Sequence, residues 1–173
     1  MTDTNYPIAA MGLLLDRDCL PVRYHPLVQY RESLPQKLAQ LGCEKKHDAE
    51  LLPDEALLQA GLDDEAQLRL FRRFLTLYDP DPRKFREIEQ SDLSPEEKAA
   101  YQELFCLPGV KRVRASLYLL CGYASLRAFA QADAAAVIRA AEQAIREKGL
   151  PYAVPLPKEV RTQIAVARAF LWK

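Results

Sequence analysis

Residues 107–126, LPGVKRVRASLYLLCGYASL, decide the fold. Pro108-Gly109 separates two apolar patterns of helical period, and Lys111, Arg112 and Arg114 follow at once. Proline cannot extend a helix and glycine reverses the chain at little steric cost, so the pair reads as a turn between two helices. Upstream stands Ser94-Pro95-Glu96-Glu97. A serine at the N-cap, a proline at the first helical position and a glutamate three residues after the cap form a capping box. The helix it opens is expected to run to about Phe105. Downstream, a helix from about Lys111 to Cys121 is ended by Gly122. Asp133 then caps a helix to about Lys148, which Gly149 closes. The proline-stiffened connector LPYAVPLP (150–157) leads to a last helix over about 158–171, with Val160, Ile164, Ala167 and Leu171 on one face.

Toward the N-terminus the same signals recur. A short helix fits 7–15, and another fits 33–41 with Gly42 at its end. Pro53-Asp54-Glu55 opens a short helix that Gly61 closes. Asp63 or Asp64 caps a longer one, whose Leu68, Phe71, Leu75 and Tyr78 share a face. Arg69, Arg72 and Arg73 lie opposite that face and read as intrahelical ion pairs with the acidic residues nearby. YDPDPRKF (78–85) is the clearest break, and PVRYHPLVQY (21–30) is the best strand candidate, although its prolines argue against a central strand. The expected fold is all-α: a compact helical bundle of two related units, with no substantial sheet. The units are an acidic 1–90 and a basic 91–173, or one compact domain. The segment 38–58, LAQLGCEKKHDAELLPDEALL, resembles 117–138, LYLLCGYASLRAFAQADAAAVI. Each reads as a helix ended by glycine, a short apolar link, an acidic cap and a helix. Pairing Gly42 with Gly122 leaves Asp54 one position out of register with Asp133.

The 173 residues are 49% apolar and 28% charged, as in soluble globular proteins. Net charge is zero, so the molecule as a whole has no polyanion-binding signature. Residues 1–106 nevertheless hold 13 Lys+Arg against 20 Asp+Glu, and residues 107–173 hold 11 against 4. The asymmetry points to an anionic partner for the basic half, or to attraction between the halves or between two copies of the chain. Cys19, Cys43, Cys106 and Cys121 show no C-x-x-C spacing, and neither His25 nor His47 sits beside a cysteine pair, so no metal site is assigned. Cys106 and Cys121 read as small core residues. Asp79 and Asp81 lack the bidentate glutamate of a calcium loop. Cys19 with His25 is weighed as a nucleophile pair and set aside, since spacing alone does not supply the partner that a catalytic His needs. With no phosphate-binding or nucleophile-elbow motif, the expectation is a non-enzymatic protein without cofactor, catalytic residue or small-molecule substrate. YPIAAMGLLL (6–15) lacks a basic flank and falls short of the ~20 residues that span a bilayer. No membrane association and a cytoplasmic location are expected. Phe170-Leu171-Trp172 closes a core or forms a docking tip.

Leu107-Pro108-Gly109-Val110, then Ala115, then Leu119-Leu120-Cys121-Gly122, then YASLRAFAQAD (123–133), resembles the helix-hairpin-helix superfamily over 104–138. It looks closest to bacterial proteins of unknown function in which such units are tandem. The resemblance implies that Ala115 packs the second helix close to the first. It also implies sequence-independent binding of a DNA or RNA backbone through the hairpin. Backbone N–H groups at a helix start, with the helix dipole behind them, hold a phosphate oxygen. The site residues are then Gly109 and Val110 for directional contacts and Lys111, Arg112 and Arg114 for the field. Lys111 stands where the family has its second hairpin glycine. The alternative is a helical adaptor that keeps this shape and binds a protein partner or forms a homodimer. In either case Leu117, Leu120, Leu126, Phe129, Val137 and Ile138 are expected to be buried together.

Overall fold

The computed structural model of the protein describes residues 2–173, and every regular element among them is a helix apart from one isolated antiparallel bridge between Pro7 and Lys45. A 3-10 turn, Ile8–Ala10, leads into α1 (Met11–Leu14). The strand candidate at 21–30 is instead a 3-10 run, Val22–Tyr30, with Pro26 inside it. Proline's fixed φ suits a helical turn, and it has no N–H to give a sheet ladder. Next come α2 (Ser33–Gln40), α3 (Lys46–Glu50), α4 (Asp54–Gln59) and α5 (Glu65–Thr76). The second half comprises α6 (Pro82–Glu89), α7 (Pro95–Leu104), α8 (Arg112–Leu120), α9 (Leu126–Ala130), α10 (Ala134–Lys148) and α11 (Pro157–Phe170).

The caps expected from sequence at Asp64, Ser94 and Asp133 each accept a backbone N–H three residues on. Glu97 completes the box by accepting the Ser94 N–H at 2.9 Å. The second aspartate of YDPDPRKF does more than break the chain. Asp81 accepts from Arg83 N at 2.9 Å and Pro82 takes the first helical position, so the motif also starts α6. Gly149 ends α10 in the left-handed region, where glycine alone escapes the Cβ penalty.

One buried cluster runs from Tyr6 to Phe170 and draws side chains from both halves. α11 is its spine, packed against α1, α9 and α10. The division near residue 90 therefore separates two stretches of sequence that share a core. Leu126, Phe129 and Val137 are fully buried in it, and Ile138 is half-buried. Leu117 is buried beneath α10 with Ala141 and Ala144. Leu120 departs from expectation: it is 49% exposed. The inward face of α8 carries Ala115 and Tyr118, one turn apart, and Leu120 lies two residues past Tyr118 on the far side. Tyr118 meets Phe129 edge-on at 4.8 Å. Leu171 is likewise exposed. Phe170 takes its expected place, stacked on Tyr6 at 6.4 Å. Leu171 and Trp172 project as a partly exposed tip, and Cys121 is only half-buried. Arg69 pairs within α5 to Glu65 at 3.8 Å, but Arg72 reaches out of the helix to the Glu50 and Leu52 carbonyls and to Asp54.

The two halves repeat one arrangement. In the register that pairs Gly42 with Gly122, α2 falls on α8, α3 on α9 and the start of α4 on the start of α10. Buried positions coincide: Leu38 with Tyr118, Ala49 with Phe129, Leu57 with Val137. Both glycines close their helices alike, with Cys43 N donating to Leu38 O at 3.0 Å and Tyr123 N to Tyr118 O at 2.9 Å. That closure is common to glycine-ended helices, since Leu150 N bonds Ile145 O in the same way after Gly149. The downstream register is what marks a repeat. The slip between Asp54 and Asp133 disappears, because the N-cap of α4 is Pro53 and Asp54 is its first helical residue.

Candidate nucleic-acid interface

The turn between α7 and α8 is built from both sides. Ala115 is fully buried where the helices meet, and the Tyr101 hydroxyl and Ser116 Oγ lie 2.6 Å apart across them. Leu107 and Val110 point inward, and Val110 N donates to Leu107 O at 3.3 Å. Gly109 sits exposed at the tip with φ +74°, and no atom lies within 4 Å of where a Cβ would stand. The turn is held from below by Gln163 of α11, a fully buried amide. Its Nε2 donates to Pro108 O at 3.1 Å while its Oε1 accepts the Tyr118 hydroxyl.

Lys111 is the N-cap of α8, with extended backbone and no side-chain acceptor for the first-turn amides. No acidic residue occurs in that first turn. The open amides and the positive helix end therefore face outward beside the exposed Lys111 and Arg112. Lys84, from α6, joins them. Its Nζ donates to Val110 O at 2.9 Å and lies 5.8 Å from the Phe105 ring centre. Burial pulls its ammonium below the usual lysine range, and nearby Asp81 only partly offsets this. A depression of 270 Å³ collects Arg83, Lys84, Lys111 and Arg112, with Asp81 and Glu87 at its edge. Arg83 is already engaged by Asp81 at 2.9 Å.

Of the five residues expected at the site, Gly109, Lys111 and Arg112 lie together at the outer surface, whereas Val110 is buried in the turn with its N–H given to Leu107 O and has no directional contact to offer. Arg114 lies elsewhere. Its Nε pairs with Glu159 Oε1 at 2.9 Å and its guanidinium donates to Ala153 O at 2.9 Å. It braces α8 against the start of α11 and has little charge to lend a ligand. Lys84 is not visible as a site residue in the sequence, because the stretch 78–85 that contains it reads as a break and not as the start of a helix. Gln163 carried a faint signal, a polar residue on the apolar face marked by Val160, Ile164 and Ala167.

The counterpart of this turn in the first half lacks its parts. In the shared register Gln29 stands at Gly109, and Arg31, at the place of Lys111, is paired with Asp16 at 2.7 Å. His25 Nε2 contacts Leu20 O at 3.1 Å, and burial with Asp16 and Asp18 nearby pushes the Cys19 thiol up to about 11. A thiol so protonated is a poor nucleophile. Among the described residues no group of three or more His, Cys, Asp and Glu is placed to hold a metal, and no helix is long and apolar enough to cross a membrane. Comparison of the chain with known protein families, with curated proteins and with solved structures finds no match in any of the three.

Proposed function

We propose that the protein binds the sugar-phosphate backbone of nucleic acid at the α7–α8 turn, without reading base sequence and without catalysis. One observation carries the reading: the α8 start has no side-chain cap and lies open beside exposed Lys111 and Arg112, with Lys84 at the same depression. Like charge at a helix N-terminus is unfavourable by about 0.3–1 kcal/mol per residue, and a bound phosphate reverses the sign of that contribution. Gly109 leaves the approach to the turn clear. The arrangement resembles a helix-hairpin-helix contact in which a lysine replaces the second glycine. Arg114 acts as a strut.

The test is fluorescence anisotropy with labelled DNA over a salt series. Each phosphate neutralised on duplex adds a log–log slope of about −0.9. Lys111→Glu weakens all sequences about equally, because the contacts are to backbone. Lys111→Gly separates charge from obstruction: affinity falls if the lysine acts by charge and rises if it screens the amides. Absence of binding to DNA and RNA at low salt, for wild type and for Lys111→Gly, refutes the proposal. A second reading then applies, favoured by Val113 and Leu120. They are 56% and 49% exposed at i and i+7 on the outer face of α8, a surface suited to a protein partner.

A further inference from the structure

Two depressions meet at the turn. One, of 220 Å³, is bordered by Lys84, Lys111 and Asp79. The other, of 310 Å³, is bordered by Cys19, Pro21, Lys158 and Thr162. Both are lined by Leu77, Tyr78, Pro108 and Gly109, so they adjoin at the turn as one trough with the exposed glycine between its two ends. Each volume far exceeds the ~30 Å³ share of a water molecule. The floor is largely apolar and the rim is charged. Every carboxylate at the rim is already engaged: Asp79 by Lys46 at 2.5 Å, Asp81 by Arg83 at 2.9 Å and Glu159 by Arg114 at 2.9 Å. Lys84, Lys111 and Lys158 have no such partner among the described residues, and Lys84 bonds only to a carbonyl. The trough thus presents cations on both sides of Gly109 and apolar surface between them.

We infer that the trough holds single-stranded nucleic acid, with Lys84 and Lys111 on one side of Gly109 and Lys158 of α11 on the other contacting its phosphates. The inference rests on the backbone-binding reading and specifies its ligand. A duplex turns phosphate and sugar outward and keeps its base faces stacked inside, so it has nothing to set against an apolar floor. A single strand offers both, phosphates for the lysines and base faces for the half-exposed Leu77 and Pro108. An acidic peptide shares the charge but lacks the flat apolar faces. The open space above Gly109 lets the strand cross the turn without displacing a side chain.

The experiment compares a short labelled oligothymidylate with a hairpin duplex of matched phosphate number, using wild type, Lys158→Glu and Lys111→Glu. Lys158 is exposed in the first turn of α11, where a negative charge suits the helix dipole, so the variant keeps the fold and its circular-dichroism melt verifies this. The expected result is a preference for the single strand of about tenfold or more, the worth of one base seated on a surface. Lys158→Glu removes most of that preference by weakening the single strand more than the duplex, whereas Lys111→Glu weakens both ligands alike. Equal or tighter duplex binding overturns the inference, as does a Lys158→Glu variant with wild-type single-strand affinity. So does displacement of the strand by poly-glutamate as readily as by unlabelled oligothymidylate. In those cases an effect of Lys111→Glu leaves backbone binding standing. Absence of any nucleic-acid binding removes both.

Discussion

Gln163 gives the sharpest test of how the turn is held. Its amide is fully buried and joins two elements: Nε2 to the Pro108 carbonyl at 3.1 Å, and Oε1 to the hydroxyl of the fully buried Tyr118. Gln163→Leu keeps much of the volume and removes both bonds, along with a long 3.5 Å contact from Nε2 to Glu159 Oε1. The Tyr118 hydroxyl is then orphaned in a dry site, which costs about 1–3 kcal/mol. Pro108 is half-exposed, so water replaces its lost donor and its share is small. The single substitution should therefore cost about 2 kcal/mol. Tyr118→Phe orphans Gln163 Oε1 and should cost a similar ~2 kcal/mol. The double variant leaves neither group unpaired by the other. Its loss should be about 2 kcal/mol and not about 4, a coupling inside the range for directly bonded pairs. In urea, with a slope of about 2 kcal/mol/M, each single variant lowers the midpoint by about 1 M. Strict additivity, or a loss below about 0.5 kcal/mol for either single variant, refutes the account of a pinned turn.

Phe129→Ala removes a fully buried ring that meets Tyr118 at 4.8 Å and Tyr123 at 5.7 Å, and should cost about 3–5 kcal/mol by denaturant unfolding. Arg114→Gln should destabilise by about 1–3 kcal/mol by freeing Glu159, yet leave DNA affinity in the anisotropy assay near wild type. Stability should fall in acid. Asp3 is held below its usual value of 3.8 chiefly by Lys45, Asp48 by the Lys45 and Glu44 amides, and Asp81 by Arg83. A depressed carboxylate contributes stability that is complete above its unfolded value and is lost as pH falls through the folded one. The urea midpoint should then hold down to about pH 4 and drop below it, and a midpoint insensitive to pH there would contradict these assignments.

Most of the architecture was legible because its signals are local. Ser94-Pro95-Glu96-Glu97 starts a helix by satisfying its own first amides, and Gly122 and Gly149 stop helices by taking conformations other residues avoid. The misses share a cause. α3 and α9 are five residues each, too short to display a period, so they read as links. α6 was hidden because its aspartate and proline also serve as turn residues. Leu120 reads as part of the inward face of its helix, but that face is turned to Ala115 and Tyr118, and Tyr118 fills the core and also bonds Gln163. At the site, Gly109, Lys111 and Arg112 are neighbours in sequence and could be read together. Lys84 and Lys158 reach the turn only through tertiary packing, and Arg114 is drawn away by Glu159, which lies in another helix. No local pattern encodes those three facts.

The repeat shows where the cations of the two stretches are paired and where they are left free. Both copies need the same buried skeleton, so Leu38 and Tyr118, or Leu57 and Val137, are constrained alike by packing. The outer groups are not, and there the copies diverge. At the position of Leu126 the first copy buries Lys46, whose ammonium is held by Asp79 at 2.5 Å and Glu50 at 3.2 Å. A buried ammonium is tolerated only when neutralised, so this copy must keep acidic residues close by. Its turn carries Gln29 in place of the glycine, and Arg31 is spent on Asp16. Each of these choices consumes cations inside the first half. The second copy puts leucine at that core position, spends Arg114 on a strut and leaves Lys111, Arg112 and Lys158 unpaired around an open glycine turn. The acidic half thus supplies one lysine, Lys84, to a core-braced turn, while the basic half supplies the rest of the surface that an anion would meet.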